Sequence, residues 1–166
     1  MLVVACIKQV PDTTQVKVDP VTGTLIREGV PFIMNPFDTH ALEESLRLKD
    51  KYGLGVAMIS MGPPNTEVTL RKALALGVDE AVLLSDRAFG GADTLATSMV
   101  LAEAIRRLAQ QEEVAIVLCG RQTIDGDTAQ VGPGIATRLG YSQLTLVDCI
   151  ENIDLQAKRV RVRRKL

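Results

Sequence analysis

The segment from Val114 to Gly140 constrains the fold of this chain more than any other part of the sequence. It begins with an apolar run, which is typical of a strand buried on both faces of a sheet. It ends with a short helical segment closed by Gly140. The loop between them, residues 121–134, contains two acidic residues, two threonines and three glycines. The segment therefore predicts a strand–loop–helix unit with small residues at the helix entrance.

That helix entrance is a predicted anion-binding site. The first backbone N–H groups of a helix have no partner inside the helix, and the helix dipole makes this end positive, so a phosphate fits there. Gly126 and Gly132 would let a ligand approach the main chain closely. Thr128 and Gln130 add side-chain donors. The loop therefore favours binding of a phosphorylated ligand.

Two other interpretations of the loop stay open. In the simpler one, Asp127 or Thr128 only caps the helix and the glycines only form a turn. In the other, Asp125 and Asp127 bind calcium, since they have the spacing of the first two EF-hand ligands. The remainder of an EF-hand loop is missing from the sequence, which makes the calcium interpretation the weaker of the two.

The rest of the chain alternates between strand and helix signals. Strands are predicted at residues 2–7, 55–61, 80–84, 114–118 and 144–150, and helices at 36–51, 66–76, 92–110 and after residue 130. Such alternation predicts one α/β domain over residues 1–166, a Rossmann-like parallel sheet with helices on both faces. A peripheral β-hairpin is predicted at residues 16–28. Ligands of such sheets bind beyond the carboxyl ends of the strands, at residues 6–10, 61–64, 85–93 and 119–132, with Asn35 opening a helix at the same edge.

Composition narrows the classes of partner. The net charge of -1 gives no general attraction for nucleic acid or an anionic membrane, and aromatic residues are only 3%, too few for stacking on single strands. No segment is apolar for long enough to cross a bilayer, and no signal-peptide pattern is expected. Cys6, Cys119 and Cys149 lie far apart in apolar runs, which indicates reduced thiols in a cytoplasmic protein.

Two smaller features have plain interpretations. His40, the single histidine, is expected at the surface because it has no ligand partners nearby in the sequence. Residues 158–166 alternate between basic and apolar side chains, which predicts a strand with one basic face. A nucleic-acid arm is one interpretation of that face, and a solvated edge strand is the favoured one.

Several motifs together identify a family. The chain resembles the beta subunit of electron-transfer flavoproteins over nearly all of its length. The matching motifs, in order, are VACIKQVPD at residues 4–12, MNPF at 34–37 with ALEE at 41–44, SMGP at 60–63, RKALALGVD at 71–79 and GRQTIDGDTAQVGP at 120–133. The last motif is the most specific.

The resemblance implies a heterodimer with an alpha subunit that contains an electron-transferring FAD. It implies an adenine-nucleotide-binding fold of the adenine nucleotide alpha hydrolase type in the beta subunit. In simple carriers the beta site holds AMP, whereas in the electron-bifurcating branch it holds a second FAD that takes a hydride from NADH. The loop from Asp125 to Pro133 resembles the bifurcating branch, and its small residues leave room for a pyrophosphate. FAD is therefore the expected ligand and AMP the alternative, with no catalytic side chain and no metal ligand assigned.

Carried over by position, the resemblance divides the site into three parts. The adenosine part is expected at Cys6, Asn35, Met61 and Gly62, the flavin or ribitol side at Arg121, Gln122 and Thr123, and the phosphates at Asp125, Gly126, Asp127, Thr128, Ala129, Gln130, Val131 and Gly132. Thr128, Gln130 and the backbone of residues 129–132 are the expected phosphate donors. Asp125 and Asp127 cannot donate as carboxylates, so they are expected to fix the loop or to bond sugar hydroxyls.

The sequence also departs from the family. Family members continue well past residue 166, through the loop that docks acyl-CoA dehydrogenase-type partners and the arm that clasps the alpha subunit, so a C-terminal truncation is expected. Thr123 replaces the usual alanine, and Gly134 and Thr137 differ from the common residues of the following helix.

Two alternative functions fit the sequence less well. An ATP pyrophosphatase needs a Ser-Gly-Gly phosphate loop after the first strand, which residues 8–11 do not provide. A stand-alone ATP- or AMP-binding regulatory module of the stress-protein type has a glycine-rich phosphate loop that fits residues 120–134 poorly.

Overall fold

The computed structural model describes residues 1–12, 17–18, 25–26 and 30–165, the two short segments by their backbone alone. The strands of these ranges are β1 (Leu2–Cys6), β2 (Gln9–Pro11), β3 (Lys17–Val18), β4 (Leu25–Ile26), β5 (Phe32–Met34), β6 (Gly55–Met61), β7 (Glu80–Leu84), β8 (Val114–Cys119), β9 (Val147–Asp154) and β10 (Arg159–Arg164). The α-helices are α1 (Pro36–Tyr52), α2 (Glu67–Ala75), α3 (Thr94–Gln111) and α4 (Val131–Leu139). Short 3₁₀ turns lie at Pro64–Thr66 and Arg87–Phe89.

Four strands form a parallel sheet in the order β7-β6-β1-β8. Strand β1 lies inside the sheet and pairs with β6 on one side and with β8 on the other. Its last residue, Cys6, lies opposite Ile59 of β6 and Cys119 of β8. The chain leaves β1 toward β6 and β7 and later returns to the opposite side for β8, so the strand order switches between β1 and β8. Ligands of open α/β sheets bind at such a switch point.

Side chains of the sheet alternate between two buried layers, as the pleat of a strand requires. One layer contains residues of β1 and β6 packed on α1 and α2, namely Val3, Ala5, Val56 and Met58 against Leu42, Leu48, Leu70 and Ala73. The other contains the intervening residues packed on α3 and α4, namely Leu2, Val4, Ala57 and Ile59 against Leu101, Ile105, Leu108 and Ile135. Both faces of the sheet are therefore covered by helices, which confirms the predicted α/β architecture.

Smaller pairs of strands lie outside this sheet. Strands β3 and β4 pair antiparallel and confirm the predicted hairpin, of which residues 16, 19–24 and 27–28 lie outside the described residues. Strands β2 and β5 also pair antiparallel, which the sequence analysis did not predict. The strand predicted at residues 144–150 is observed as β9, and it pairs antiparallel with the basic strand β10 rather than with the parallel sheet.

The four helices begin within two residues of their predicted starts. Asn35 is the N-cap of α1 and Pro36 its first residue, as predicted. Asp93 caps α3, its Oδ1 accepting a hydrogen bond from the Ala96 N–H at 2.8 Å. Helix α2 follows the turn at Pro64–Thr66 and so begins one residue later than predicted. No helix within the described ranges is long and apolar enough to cross a membrane.

The start of α4 rules out the interpretation in which Asp127 or Thr128 caps this helix. It begins at Val131 with Gln130 at the N-cap position, so neither Asp127 nor Thr128 caps it. The Thr128 N–H instead bonds the Gly126 carbonyl at 2.9 Å, because the chain makes one more turn before the helix starts.

Candidate functional site

The loop after β8, residues 120–130, lies at the switch point of the sheet and ends at the entrance of α4. It leaves β8 in direct contact with the first turn of α1. A Cβ placed on Gly120 would lie 2.9 Å from the Phe37 carbonyl carbon and 3.0 Å from the Asp38 nitrogen. No side chain fits in that space, so Gly120 allows the loop to run against the backbone of α1.

Asn35 ties this loop to the rest of the domain. The residue is fully buried, and its Nδ2 donates to the Gln122 carbonyl at 2.8 Å. Its Oδ1 accepts the Ile124 N–H at 3.3 Å, and its own N–H donates to the Lys8 carbonyl at 2.8 Å. The Asn35 amide therefore satisfies two loop backbone groups, and the contact with adenosine expected for this residue stays a prediction.

Replacing Asn35 with alanine should lower the free energy of unfolding by about 2–4 kcal/mol, because two backbone groups of the loop lose their partner. Asn35→Asp keeps the acceptor for Ile124, but it loses the donor to Gln122 and buries a second carboxylate near Asp38, so it should be at least as destabilised as Asn35→Ala. Urea unfolding monitored by circular dichroism measures both. The matched control is His40→Ala at an exposed position of α1, which should stay within about 0.5 kcal/mol of the wild type. Equal stability of Asn35→Ala and His40→Ala would contradict the role given to the amide.

Both acidic residues of the loop make contacts that hold it, and the contact with sugar hydroxyls that was the other expectation stays a prediction. The Lys8 Nζ donates to the two Asp125 carboxylate oxygens, each at 2.8 Å. Partial burial would raise the pKa of Asp125, but the hydrogen-bonded ion pair with Lys8 holds this pKa below its usual value. The Gln122 Nε2 donates to Asp127 Oδ1 at 3.0 Å. The loop is thus fixed by one ion pair to β1 and one internal amide–carboxylate bond.

The middle of the loop is a tight turn. Thr123 and Gly126 form an isolated bridge, and the Thr123 Oγ1 donates to the Gly126 carbonyl at 3.1 Å. Ala129 follows with a φ of 55°, in the left-handed region that costs a residue with a side chain about 1–2 kcal/mol. Strained backbone of this kind concentrates at functional sites. Here it turns the chain directly into the first turn of α4.

The entrance of α4 presents free donors. No described side chain caps the helix, and the first helical residues, Val131 and Gly132, have N–H groups without a partner inside the helix. Gln130 is held from α3, because the Thr94 hydroxyl donates to its Oε1 at 2.9 Å. This bond leaves the NH₂ group of Gln130 available as a donor. The exposed Thr128 precedes it, so the phosphate donors expected from the sequence lie at one helix entrance.

Cys6 and Cys119 lie side by side beneath this entrance, at the ends of β1 and β8. A hydrogen bond with Cys119, together with burial, raises the pKa of the Cys6 thiol well above its usual value. A Cβ on Gly132 would lie 3.4 Å from the Cys119 Cβ, so the start of α4 packs closely on β8. The two cysteines form no disulfide, in agreement with the prediction of reduced thiols.

The remaining predicted residues lie around the same edge. Met61 and Gly62 end β6, the neighbour of β1, and the Gly62 N–H donates to the Leu84 carbonyl at 3.0 Å. The Arg121 guanidinium lies over the Phe37 ring, 5.6 Å from its centroid. The structure therefore gathers the sequence-predicted residues at the carboxyl edge of the sheet.

Two residues of this edge were missed by the sequence analysis, Lys8 and Asp38. Lys8 lies within the predicted ligand-binding segment 6–10 and Asp38 within the predicted helix 36–51, but neither was assigned a role. Their partners are distant in sequence, with Asp125 lying 117 residues from Lys8. The charge of each residue was the signal available, but it did not identify a partner.

Comparison with known proteins places this site in a family. The model of the electron transfer flavoprotein domain matches residues 22–166. Protein FixA of Azotobacter vinelandii is 55% identical over 162 residues, covering 98% of this chain and 58% of the relative. The electron transfer flavoprotein subunit beta of Clostridium acetobutylicum is 62% identical over 151 residues, covering 91% of this chain and 57% of the relative.

A third relative is subunit CarD of the caffeyl-CoA reductase-Etf complex of Acetobacterium woodii, 53% identical over 167 residues, with 62% of the relative covered. The chain thus spans about three-fifths of the length of these curated relatives. The family model and all three similarities agree with the motifs at the carboxyl edge of the sheet, and the chain belongs to the electron transfer flavoprotein family.

Proposed function

We propose that this chain is the nucleotide-binding part of a beta-type electron transfer flavoprotein subunit, which works with an alpha-type subunit to pass electrons from a donor to an acceptor. Two relatives have names that support this proposal. One is named electron transfer flavoprotein subunit beta, and the other is named a subunit of a caffeyl-CoA reductase-Etf complex. The observation that carries the proposal is the open entrance of α4 at the switch point of the sheet.

The residues of this entrance fit a phosphate. The N–H groups of Val131 and Gly132 and the positive end of the α4 dipole favour an anion. Thr128 and the NH₂ of Gln130 would add two side-chain donors. Lys8 and Asp125 neutralise each other, so the loop does not repel an anion with an unpaired carboxylate at that position.

We favour FAD over AMP as the ligand. A Cβ on Gly126 would meet only the Thr123 Oγ1 within 4 Å, at 3.6 Å, so the outer side of this residue is open. Residues 125–130 are all exposed, which leaves space along the loop for a second phosphate and a ribitol. A bound flavin would supply the redox chemistry, while this chain would bind, orient and surround it. The adenosine would lie toward Cys6, Met61 and Gly62, and the ribitol side toward Arg121 and Gln122.

The partners follow from the same proposal. The alpha-type subunit would hold its own FAD, and NADH or an acyl-CoA dehydrogenase-type protein would exchange electrons with the heterodimer in the cytoplasm. With FAD in both subunits, the complex would belong to the electron-bifurcating branch. With AMP in this chain, the complex would be a simple electron carrier.

The test is a count of nucleotides in the complex. The complete gene product that contains these residues is co-expressed with its alpha-type partner, purified, and denatured to release bound nucleotides for chromatography. We expect two FAD per heterodimer. One FAD with one AMP would contradict the choice of FAD but keep a nucleotide in this chain. One FAD alone, or a preference of this chain for ATP, would contradict the proposed site or function.

A further inference from the structure

Asp38 lies at the centre of the candidate site, although neither the motifs nor the comparisons assign it a role. It is the third residue of α1 and only 5% exposed. Its Oδ2 accepts the Lys8 N–H at 2.7 Å, two residues after the end of β1. Its Oδ1 lies against Gly120, directly after the end of β8, in the space that a Cβ on that glycine would occupy. One carboxylate therefore contacts the exits of both strands that border the switch point.

The position is unfavourable for a charge. Burial raises the pKa of Asp38 to about 6, although the hydrogen bond from the Lys8 N–H and the charge of Lys8 act in the opposite direction. A buried carboxylate with a strongly shifted pKa at a ligand-binding edge is typical of functional sites.

Few other charged or titratable groups face Asp38. The Lys8 ammonium lowers its pKa from the β1 side, and the carboxylate in turn raises the pKa of the Cys6 thiol. Cys119 lies beside Cys6 at the end of β8, and Arg121 lies over the neighbouring Phe37 ring.

We propose that Asp38 is a positioning residue for the nucleotide: by accepting the Lys8 N–H and packing against Gly120, its carboxylate fixes the two strand exits between which the ligand lies. This inference rests on the proposed function and adds to it. Hydrogen bonds to an ionised carboxylate are about twice as strong as those to a neutral acceptor. Protonation of Asp38 therefore loosens the loop that leads to α4, and nucleotide affinity falls as the pH is lowered through about 6.

The contribution of Asp38 to the free energy of unfolding should change with pH in the opposite direction to the nucleotide affinity. The pKa of Asp38 in the folded state, about 6, lies above its unfolded value of 3.8, so the folded state binds the proton more tightly. The contribution of this group to stability is therefore present at low pH and lost as the pH rises through about 6. If Asp38 contributed only to the stability of the fold, its protonation at low pH would stabilise the protein and would not lower the affinity for the nucleotide.

The experiment compares the wild type with Asp38→Asn and with the matched control Asp50→Asn, an exposed aspartate of the same helix. FAD binding to the purified complete gene product is titrated between pH 5 and 8. FAD is chosen because its phosphates are diesters, whereas the phosphate monoester of AMP itself titrates near pH 6. Adenosine, which has no phosphate, is the second probe.

For the wild type and Asp50→Asn, we expect affinity for both probes to fall about tenfold from pH 7.5 to pH 5. Asp38→Asn should bind both probes about tenfold more weakly at pH 7.5 and show no such pH dependence. Its urea midpoint at pH 7.5 should equal or exceed that of the wild type, since the buried charge is gone.

A wild-type affinity that does not change with pH overturns the inference, and this measurement does not depend on the folding of any variant. Wild-type affinity in Asp38→Asn also overturns it. In both cases the proposed function survives, because nucleotide is still bound. Failure of all three proteins to bind either probe overturns the proposed nucleotide site together with the inference.

Discussion

Replacing Thr128 and Gln130 together with alanine should weaken nucleotide binding by about a hundredfold or more. Each side chain would donate one hydrogen bond to a charged phosphate, and such bonds are worth about 1.5–3 kcal/mol apiece. Two of them correspond to a factor of about a hundred or more in the dissociation constant. The two residues are exposed, and within the described ranges the Gln130 side chain hydrogen-bonds only to the side chain of Thr94. The double variant should therefore keep the wild-type unfolding midpoint.

Isothermal titration with FAD and with AMP measures the effect. The matched control is Thr94→Ala, which removes the hydroxyl that holds Gln130 but removes no phosphate donor. It should weaken binding by about tenfold or less, because it frees one side chain to rotate. Unchanged affinity in the double variant would remove both residues from the phosphate site, whichever nucleotide the chain binds.

Replacing Gly120 with alanine should destabilise the fold by about 3 kcal/mol or more. The new Cβ would collide with Asp38 Oδ1 and would lie at 2.9–3.0 Å from backbone atoms of Phe37 and Asp38, which cannot give way as a flexible side chain does. Either the loop moves away from α1 or the first turn of α1 moves away from β8. Each movement breaks the hydrogen bonds that Asn35 makes to the loop, so the loss includes more than the contact itself.

Gly126→Ala is the matched control for Gly120→Ala, in the same loop. Its Cβ would contact only the Thr123 Oγ1, at an ordinary 3.6 Å, so its stability should stay close to that of the wild type. Urea unfolding of both variants gives the comparison. If a ligand approaches the main chain at Gly126, this variant should nevertheless bind FAD more weakly than the wild type. Equal stability of the two variants would show that the contact between Gly120 and α1 is not required by the fold.

The parallel sheet could be predicted because each of its strands has a clear local signal in the sequence. All five residues of β1 are buried, and β6 has five consecutive buried residues, so both appear in the sequence as continuous apolar runs. The helices between them begin at clear capping signals, such as Asp93 before α3. Each of these signals lies within a few residues of the element that it predicts.

The strands outside the sheet depend on partners that a local pattern does not show. Half of the residues of strand β9 are polar, and the strand pairs with the arginine-rich β10, where Arg163 Nε donates to Asp148 at 2.9 Å. Its apolar residues pack on the core through only one face, with Ile150 buried. The predicted strand therefore began three residues too early, at the exposed Leu144. Strands β2 and β5 have only three residues each, too few for a periodic signal.

In the candidate site too, features with a local sequence signal could be predicted, and contacts between distant residues could not. The composition of the loop was sufficient to place Thr128 and Gln130 at a helix entrance. It could not show that Asn35 would bond Gln122 and Ile124, which lie 87 and 89 residues away. Nor could it show the left-handed turn at Ala129, since alanine has no local preference for that conformation. The extra turn moved the start of α4 past the two residues that had been considered as caps.

The order of strands in the sheet also has a consequence for folding during synthesis on the ribosome. Strand β1 is synthesised first, yet its partner β8 follows about a hundred residues later. At a synthesis rate of about 5–20 residues per second, the ribosome needs about 5–20 s to complete that interval. During this time one edge of the fully apolar strand β1 has no native partner, and an unpaired apolar edge favours aggregation. A chaperone that protects nascent chains should therefore bind the N-terminal residues until β8 has emerged.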